Sequence, residues 1–212
     1  MTAAMNARDA LARLRAGNAR FVSASTRAAD DDPERRRREL AAGQRPIAII
    51  LGCSDSRVPA EIVFDQGLGD LFVIRVAGNI VAPSLVGSVE FAADQFGTRL
   101  ALVLGHTQCG AIEATVRALT DRTGSPSPNI RSIVDRIRPS VEGLLSSGSE
   151  PDPETLVAKA VRANVRASVD QLRHGSEMLE RLIHVEGLAI VGAEYSLETG
   201  VVDFFHGESD PA

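Results

Sequence analysis

Ile47-Ala48-Ile49-Ile50-Leu51-Gly52-Cys53-Ser54-Asp55-Ser56-Arg57 decides how this chain folds, together with an answering segment, Leu100-Ala101-Leu102-Val103-Leu104-Gly105-His106-Thr107-Gln108-Cys109-Gly110. Each begins as a short unbroken apolar run, the pattern of a strand buried on both faces. Each then breaks at a glycine into a cluster of thiol, imidazole, carboxylate or guanidinium groups. Reactive side chains are thus expected where strands end.

Further strands are expected at Leu71–Arg75, at Leu188–Val191 and at Val201–Phe205, the last two joined by the Glu198-Thr199-Gly200 turn and antiparallel. Between them the spacing of apolar residues predicts helices over about 6–24, 33–40, 83–96, 109–119, 130–144, 153–172 and 177–184, with a helical turn at 59–63. Pro139 is expected to kink or divide the helix over 130–144. Polar loops are expected at 121–128 and 146–152. Strands alternating with helices give an α/β fold: a mainly parallel four-stranded sheet with an antiparallel edge strand, helices on both faces, and an N-terminal helical arm. The arm is assigned to residues 1–40 and the catalytic domain to 41–212. With the second strand outside the first, and the first and third neighbours, Cys53 and His106 meet where the strand order reverses. That is where open α/β sheets bind ligands.

At 212 residues and 44% apolar content, the chain can bury one substantial core. No apolar run approaches the roughly 20 residues that span a bilayer, and the N-terminus interleaves Asn6, Arg8, Asp9, Arg13 and Arg15, unlike a signal peptide. A soluble cytoplasmic protein with no membrane partner is expected. A formal net charge of -5 argues against a nucleic-acid partner. The run Arg35-Arg36-Arg37-Arg38 reads as a solvated stretch balanced by Asp30, Asp31, Asp32 and Glu34.

The two cysteines, Cys53 and Cys109, are the only ones in the chain. Either alone reads as a small buried hydrophobe, but both lie at strand ends among charged groups, and Cys109 follows His106 by three positions. Two thiolates and an imidazole suit zinc, and three protein ligands leave a fourth position for water or substrate. Cys109 opens a helix, whose dipole favours the thiolate. Asp55 could complete the tetrahedron instead, or pair with Arg57 as a bidentate partner. Held by Arg57, an ionised Asp55 only accepts a hydrogen bond and so orients a hydroxide for attack on an electrophile. His174, His184 and His206 lack a companion.

Cys-x-Asp-x-Arg at 53–57 and His-x-x-Cys-Gly at 106–110, with Arg75-Val76-Ala77-Gly78-Asn79 between them, resemble the paired signature of the β-class carbonic anhydrases, of the plant-like branch found in bacteria. The resemblance implies zinc on Cys53, His106 and Cys109, with Asp55 joining only in a closed state. It implies reversible hydration of carbon dioxide to bicarbonate and a proton, by a zinc-bound hydroxide that the Asp55–Arg57 dyad orients. It further implies that Gln44 donates a hydrogen bond to substrate and that Phe72, Ala77 and Gly78 line an apolar pocket. Phe91 stands where the branch often has tyrosine. The family unit is a homodimer in which each pocket borrows residues from the partner, often paired again as a dimer of dimers. Hydrolysis of carbon disulfide or carbonyl sulfide on the same site is the alternative reaction, and a zinc-bearing sensor or interaction protein the non-enzymatic one.

Two expectations concern the surroundings. The opening helix, with Leu11, Leu14 and Phe21, is expected to pack on a neighbouring subunit for want of a core of its own. Arg75 and Tyr195 are expected to form a hydrogen-bonding pair beneath the sheet. The bicarbonate pocket that another branch builds beside such residues is expected to be missing, because Ile50 replaces its tryptophan. Asp55 is accordingly expected on Arg57.

Overall fold

The computed structural model describes residues 5–25, 33–120, 127–146 and 152–207; the expected loops at 121–128 and 146–152 lie mostly outside the described residues, as do Asp30, Asp31 and Asp32. The helices are α1 (Ala7–Val22), α2 (Pro33–Leu40), α3 (Ala60–Val63), α4 (Pro83–Gln95), α5 (Gly110–Thr120), α6 (Pro128–Leu145), α7 (Pro153–His174) and α8 (Glu177–Glu186). The strands are β1 (Ala48–Gly52), β2 (Leu71–Arg75), β3 (Leu100–His106), β4 (Ala189–Tyr195) and β5 (Val202–His206). They form one sheet in the order β2-β1-β3-β4-β5, parallel from β2 to β4, with β5 antiparallel to β4. The α/β fold and the reversal of strand order between β1 and β3 are as the sequence implies.

Alternation along the central strands explains why the sheet is covered on both faces. Ala48, Ile50, Leu100, Leu102 and Leu104 share a core with Leu14 and Phe64, while Ile49, Leu51, Ala101 and Val103 share another with Val89, Val165, Val169 and Leu179. Every residue of β1 and β3 is therefore buried. A third cluster, with Cys53, Cys109, Ile112, Ile137 and Val161, closes over the carboxyl ends of β1 and β3.

Three local expectations are corrected. β4 runs four residues beyond Val191, because Ala193, Glu194 and Tyr195 still pair with Leu104, Gly105 and His106 of β3. Pro139 does not divide α6, which is one helix from Pro128 to Leu145. The opening helix does have a core of its own: Ala10 and Leu14 are fully buried within this chain, in the cluster that holds Phe64 and Phe204. Gly17 lies inside that helix, where α1 passes so close to the Phe64 carbonyl that a Cβ there would overlap it. The Asn18 side chain ties the helix down, donating to the Val63 and Gly200 carbonyls at 3.1 and 2.8 Å and accepting from Val202 N at 2.9 Å. Leu14→Ala should accordingly cost about 2–5 kcal/mol by denaturant unfolding, as truncation of a buried leucine does. An unchanged midpoint would show that α1 is not docked on this core.

Candidate metal centre

Cys53 follows the last residue of β1, His106 ends β3 and Cys109 immediately precedes α5, accepting from Glu113 N through its carbonyl at 3.0 Å. Neighbouring parallel strands bring the three together. Their sulfur and ring-nitrogen atoms lie within 4.8 Å of one another, with Cys53 Sγ and Cys109 Sγ 4.0 Å apart. Two sulfurs on a tetrahedral zinc, each bonded at about 2.3 Å, are separated by about 3.8 Å. All three residues are buried and His106 is wholly inaccessible.

The imidazole is set for the same purpose. His106 Nδ1 lies 2.9 Å from the Thr107 carbonyl oxygen, which can only accept, so Nδ1 carries the proton. Nε2 is left buried and, among the described residues, without a hydrogen-bond partner. A buried nitrogen lone pair with no donor is costly, and a cation bound by the two sulfurs would satisfy it. The donor set fits zinc on these observations. Left to themselves, the two thiols behave as one unit. Cys53 is pulled down to about 4, first by the hydrogen bond from Cys109 and against its own burial, with help from His106 and the Gly78 amide. Cys109 is pushed up by its hydrogen bond to Cys53 and by burial. For His106, burial opposes the charged form, but the Cys53 sulfur outweighs it and the net shift is upward.

On the exposed side of the cluster, Arg57 grips Asp55 in a bidentate pair, Nε to Oδ1 at 2.9 Å and Nη2 to Oδ2 at 2.7 Å, while Arg57 N also donates to Oδ1 at 2.9 Å. Asp55 is therefore on Arg57, and its Oδ2 is still only 3.9 Å from His106 Nε2. The Arg57 hydrogen bond, against some desolvation, holds this carboxyl well below the usual carboxylate range. Gly78 N donates to Cys53 Sγ at 3.3 Å from the turn Ala77–Asn79. The turn favours glycine through its φ of 71° at Gly78, and a Cβ there would also crowd Ala111 Cβ at 3.2 Å.

Other residues that hold this geometry were not singled out as site residues from the sequence. Arg75 does not pair with Tyr195; it reaches the metal loop, donating from Nε to the Cys53 carbonyl at 3.0 Å and from Nη2 to the Asp55 carbonyl at 2.5 Å. Tyr195 is buried and packs near Phe21, ring centroids 6.4 Å apart. Gln108 adopts a left-handed φ of 54°, and its carbonyl accepts from Arg57 Nη2 at 3.3 Å. Arg57 thereby links the two clusters. No residue-type signal marks Gln108, because left-handed backbone is legible in a sequence only where glycine or asparagine supplies it.

Three expected pocket residues are not brought to this cluster within one chain. Gln44 enters from the opposite end of β1, separated from Cys53 by at least the five-residue strand, about 16 Å at about 3.3 Å per residue. Phe72 pairs with Ile49, also toward the far end of the sheet. Phe91, on α4, is 53% exposed and packs on Phe72 and Phe96 with ring centroids 6.3 and 5.6 Å away.

A family model described as carbonic anhydrase matches residues 48–202, which include every residue of this cluster. The chain belongs to the carbonic anhydrase family. It is 41% identical over 187 residues to carbonic anhydrase 2 of Mycobacterium tuberculosis, covering 88% of this chain and 87% of that protein. To the carbonic anhydrase of Mycolicibacterium smegmatis it is 40% identical over 190 residues, covering 90% and 89%. Among solved structures, the β-carbonic anhydrase CafA of Aspergillus fumigatus superposes with a TM-score of 0.74 at 23% identity, covering 85% of each chain. The β-carbonic anhydrase CcaA does so with a TM-score of 0.75 at 25% identity, covering 95% of this chain and 94% of that one. The fold is that of the β class, and the enzyme is a carbonic anhydrase of that class. Among the described residues no helix is long and apolar enough to cross a membrane.

Proposed function

We propose that this carbonic anhydrase holds zinc on Cys53, His106 and Cys109 and hydrates carbon dioxide reversibly to bicarbonate and a proton, with Asp55 and Arg57 as the catalytic dyad. The observation that carries the reading is the placement of Asp55: fixed by Arg57 on the exposed side of three buried donors, with an oxygen 3.9 Å from His106 Nε2. Bound there, zinc would supply the positive charge that makes a water acidic enough to act as a nucleophile near neutral pH. The chain's own residues do the rest. Asp55 is ionised and can only accept, so it takes the hydrogen bond of the attacking oxygen's remaining proton and turns a lone pair toward the carbon. Arg57 keeps Asp55 in that role and off the metal, since its two donors occupy both carboxylate oxygens. Ala77 and Gly78 bring backbone with little side chain to the same place, as a small apolar substrate requires.

Gln44, Phe72 and Phe91 enter this reading through a homodimer, in which those of one chain complete the pocket of the other. Support comes from β2, an edge strand whose Phe72, Val73 and Ile74 are only partly covered, and from the exposed face of Phe91 beside it. A similar solved structure, at a TM-score of 0.69, is described as belonging to two tetrameric β-carbonic anhydrases of Sordaria macrospora. Mixing Gln44→Ala with Asp55→Ala chains tests this assignment. A two-fold exchange leaves half the dimers mixed, each with one intact site, so about a quarter of wild-type activity should return. If Gln44 served its own chain's site, no intact site would form and none would return.

The overall reading is tested by zinc quantification on the same purified sample used for stopped-flow hydration of carbon dioxide, with carbon disulfide and carbonyl sulfide as rival substrates. One zinc per chain with carbon dioxide turned over fastest supports it. A preference for either sulfur compound, or zinc without turnover of any of the three, would overturn it.

A further inference from the structure

The turn that presents Gly78 N to Cys53 is held from outside by two polar side chains that chemistry at the metal does not touch. Asn164 Nδ2 donates to the Gly78 carbonyl at 2.8 Å, and Ser168 Oγ to the Asn79 carbonyl at 3.1 Å. Both are nearly inaccessible, at 2% and 4% exposure, in a helix whose other buried positions are aliphatic. Four residues apart, they lie on one face of α7 and act on consecutive carbonyls.

The turn needs holding. Asn79 is left-handed at φ 41°, and its buried side-chain nitrogen has no hydrogen-bond partner among the described residues. Backbone strain and an unpaired buried amide each disfavour this conformation, and such arrangements persist only where the surroundings over-determine them. α7 is itself seated without slack. A Cβ on Gly105 would come within 2.6 Å of Val165 Cγ2, and one on Gly192 within 2.8 Å of Val165 Cγ1, so glycines on β3 and β4 admit Val165 against the sheet. Gly105 immediately precedes the ligand His106. The helix bearing Asn164 is thus registered directly on the strand that bears a metal donor.

We infer that Asn164 and Ser168 are positioning residues for the metal centre: by clamping the Gly78 and Asn79 carbonyls they aim the Gly78 N–H at Cys53 Sγ. A hydrogen bond to a thiolate draws electron density from the sulfur, which lessens its donation to a bound metal and leaves that metal a stronger Lewis acid. Outer partners of this kind set ligand orientation and basicity. The inference rests on the assignment of Cys53 as a metal ligand.

Its test is spectroscopic. The full-length protein, loaded with cobalt in place of zinc, should show a thiolate-to-cobalt charge-transfer band. In Asn164→Leu, and less strongly in Ser168→Ala, that band should move to lower energy, because a sulfur relieved of its hydrogen bond gives up an electron more easily. Zinc affinity, measured by competition with a chromophoric chelator, should change about 10–100-fold. Leu172→Ala, fully buried on the same helix but in the core away from the turn, serves as the control for general loosening. It should lower stability without moving the band. Should Asn164→Leu fail to fold, Ser168→Ala alone decides. A band and zinc affinity unchanged in folded Asn164→Leu, or in Ser168→Ala where only that variant folds, would overturn the inference and leave these residues as fold-stabilising only. A wild-type protein with no thiolate band at all would instead remove the metal assignment on which it stands.

Discussion

Serine at position 109 in place of cysteine is expected to strip the protein of zinc. Cys109 is buried, 4.0 Å from Cys53 Sγ, and on giving up its proton to bind zinc it would offer a charged sulfur where serine offers a neutral hydroxyl. The hydroxyl would have to lose a far less acidic proton to serve as an equivalent donor. Loss of an outer-shell partner costs about 10–100-fold in metal affinity, and a direct ligand should cost more than that range. Cys53→Ser should behave alike, with the further effect of leaving Gly78 N without its sulfur acceptor. Zinc content after dialysis against a weak chelator, with hydration measured in parallel, reads the result. Wild-type zinc in either variant would exclude that cysteine as a ligand.

The second large effect is expected at Asp55. Asp55→Ala should retain zinc, since the three buried donors are untouched, yet lose about 10²–10³-fold in kcat, the usual cost of deleting a preorganised group that orients a reacting atom. Asp55→Asn should be nearly as poor despite its shape, because an amide nitrogen can donate to the attacking oxygen and misdirect its lone pair. Arg57→Ala should fall on the same scale, with a different pH signature. In the wild type the Arg57 hydrogen bond depresses the Asp55 pKa, so the carboxylate remains charged well below the ordinary value of about 4. Its contribution to stability is complete above that ordinary value and is lost as the pH falls toward the folded one. Without Arg57 the titration should return upward toward about 4. A loss of activity caused by protonation of Asp55 would then begin at higher pH than in the wild type. Stopped-flow rates from about pH 3 to 9, at matched zinc content, test both claims, since the carboxyl's ordinary titration near about 4 must lie inside the range. Unimpaired turnover in Asp55→Ala would assign the Asp55–Arg57 pair to structure alone.

Much of this site is legible before any coordinates. Two apolar runs that end in glycine predict β1 and β3, and the chemistry clustered behind each glycine is where strand ends must meet if the strands are neighbours. Parallel pairing of Ile49–Gly52 with Ala101–Leu104 makes them so. Periodicity reports which residues are buried, because burial repeats every two positions along a strand and every three or four along a helix. It does not report what they are buried against. Leu14 carries the same apolar signal whether it covers this chain or a neighbour, and only packing shows that Phe64 and its own sheet receive it. Gln44, Phe72 and Phe91 likewise keep their motif positions in the sequence, yet the sheet sets the first two toward the end opposite the donors and leaves Phe91 exposed on α4.

Polar support is the part the sequence alone could not reveal. Asn164 meets the Gly78 carbonyl across 86 residues of chain, Arg75 turns back to the Cys53 and Asp55 carbonyls, and Gln108 bends left-handed to offer its own carbonyl to Arg57. Each acts on backbone rather than on a recognisable side chain. Any residue type supplies a backbone carbonyl, so the partner leaves no mark in the sequence. The sequence by itself therefore determined the order of the strands and which residues are proposed as donors and dyad. The tertiary structure alone decided which distant side chains hold them, because a hydrogen bond is fixed by direction and distance, and the folded chain sets both.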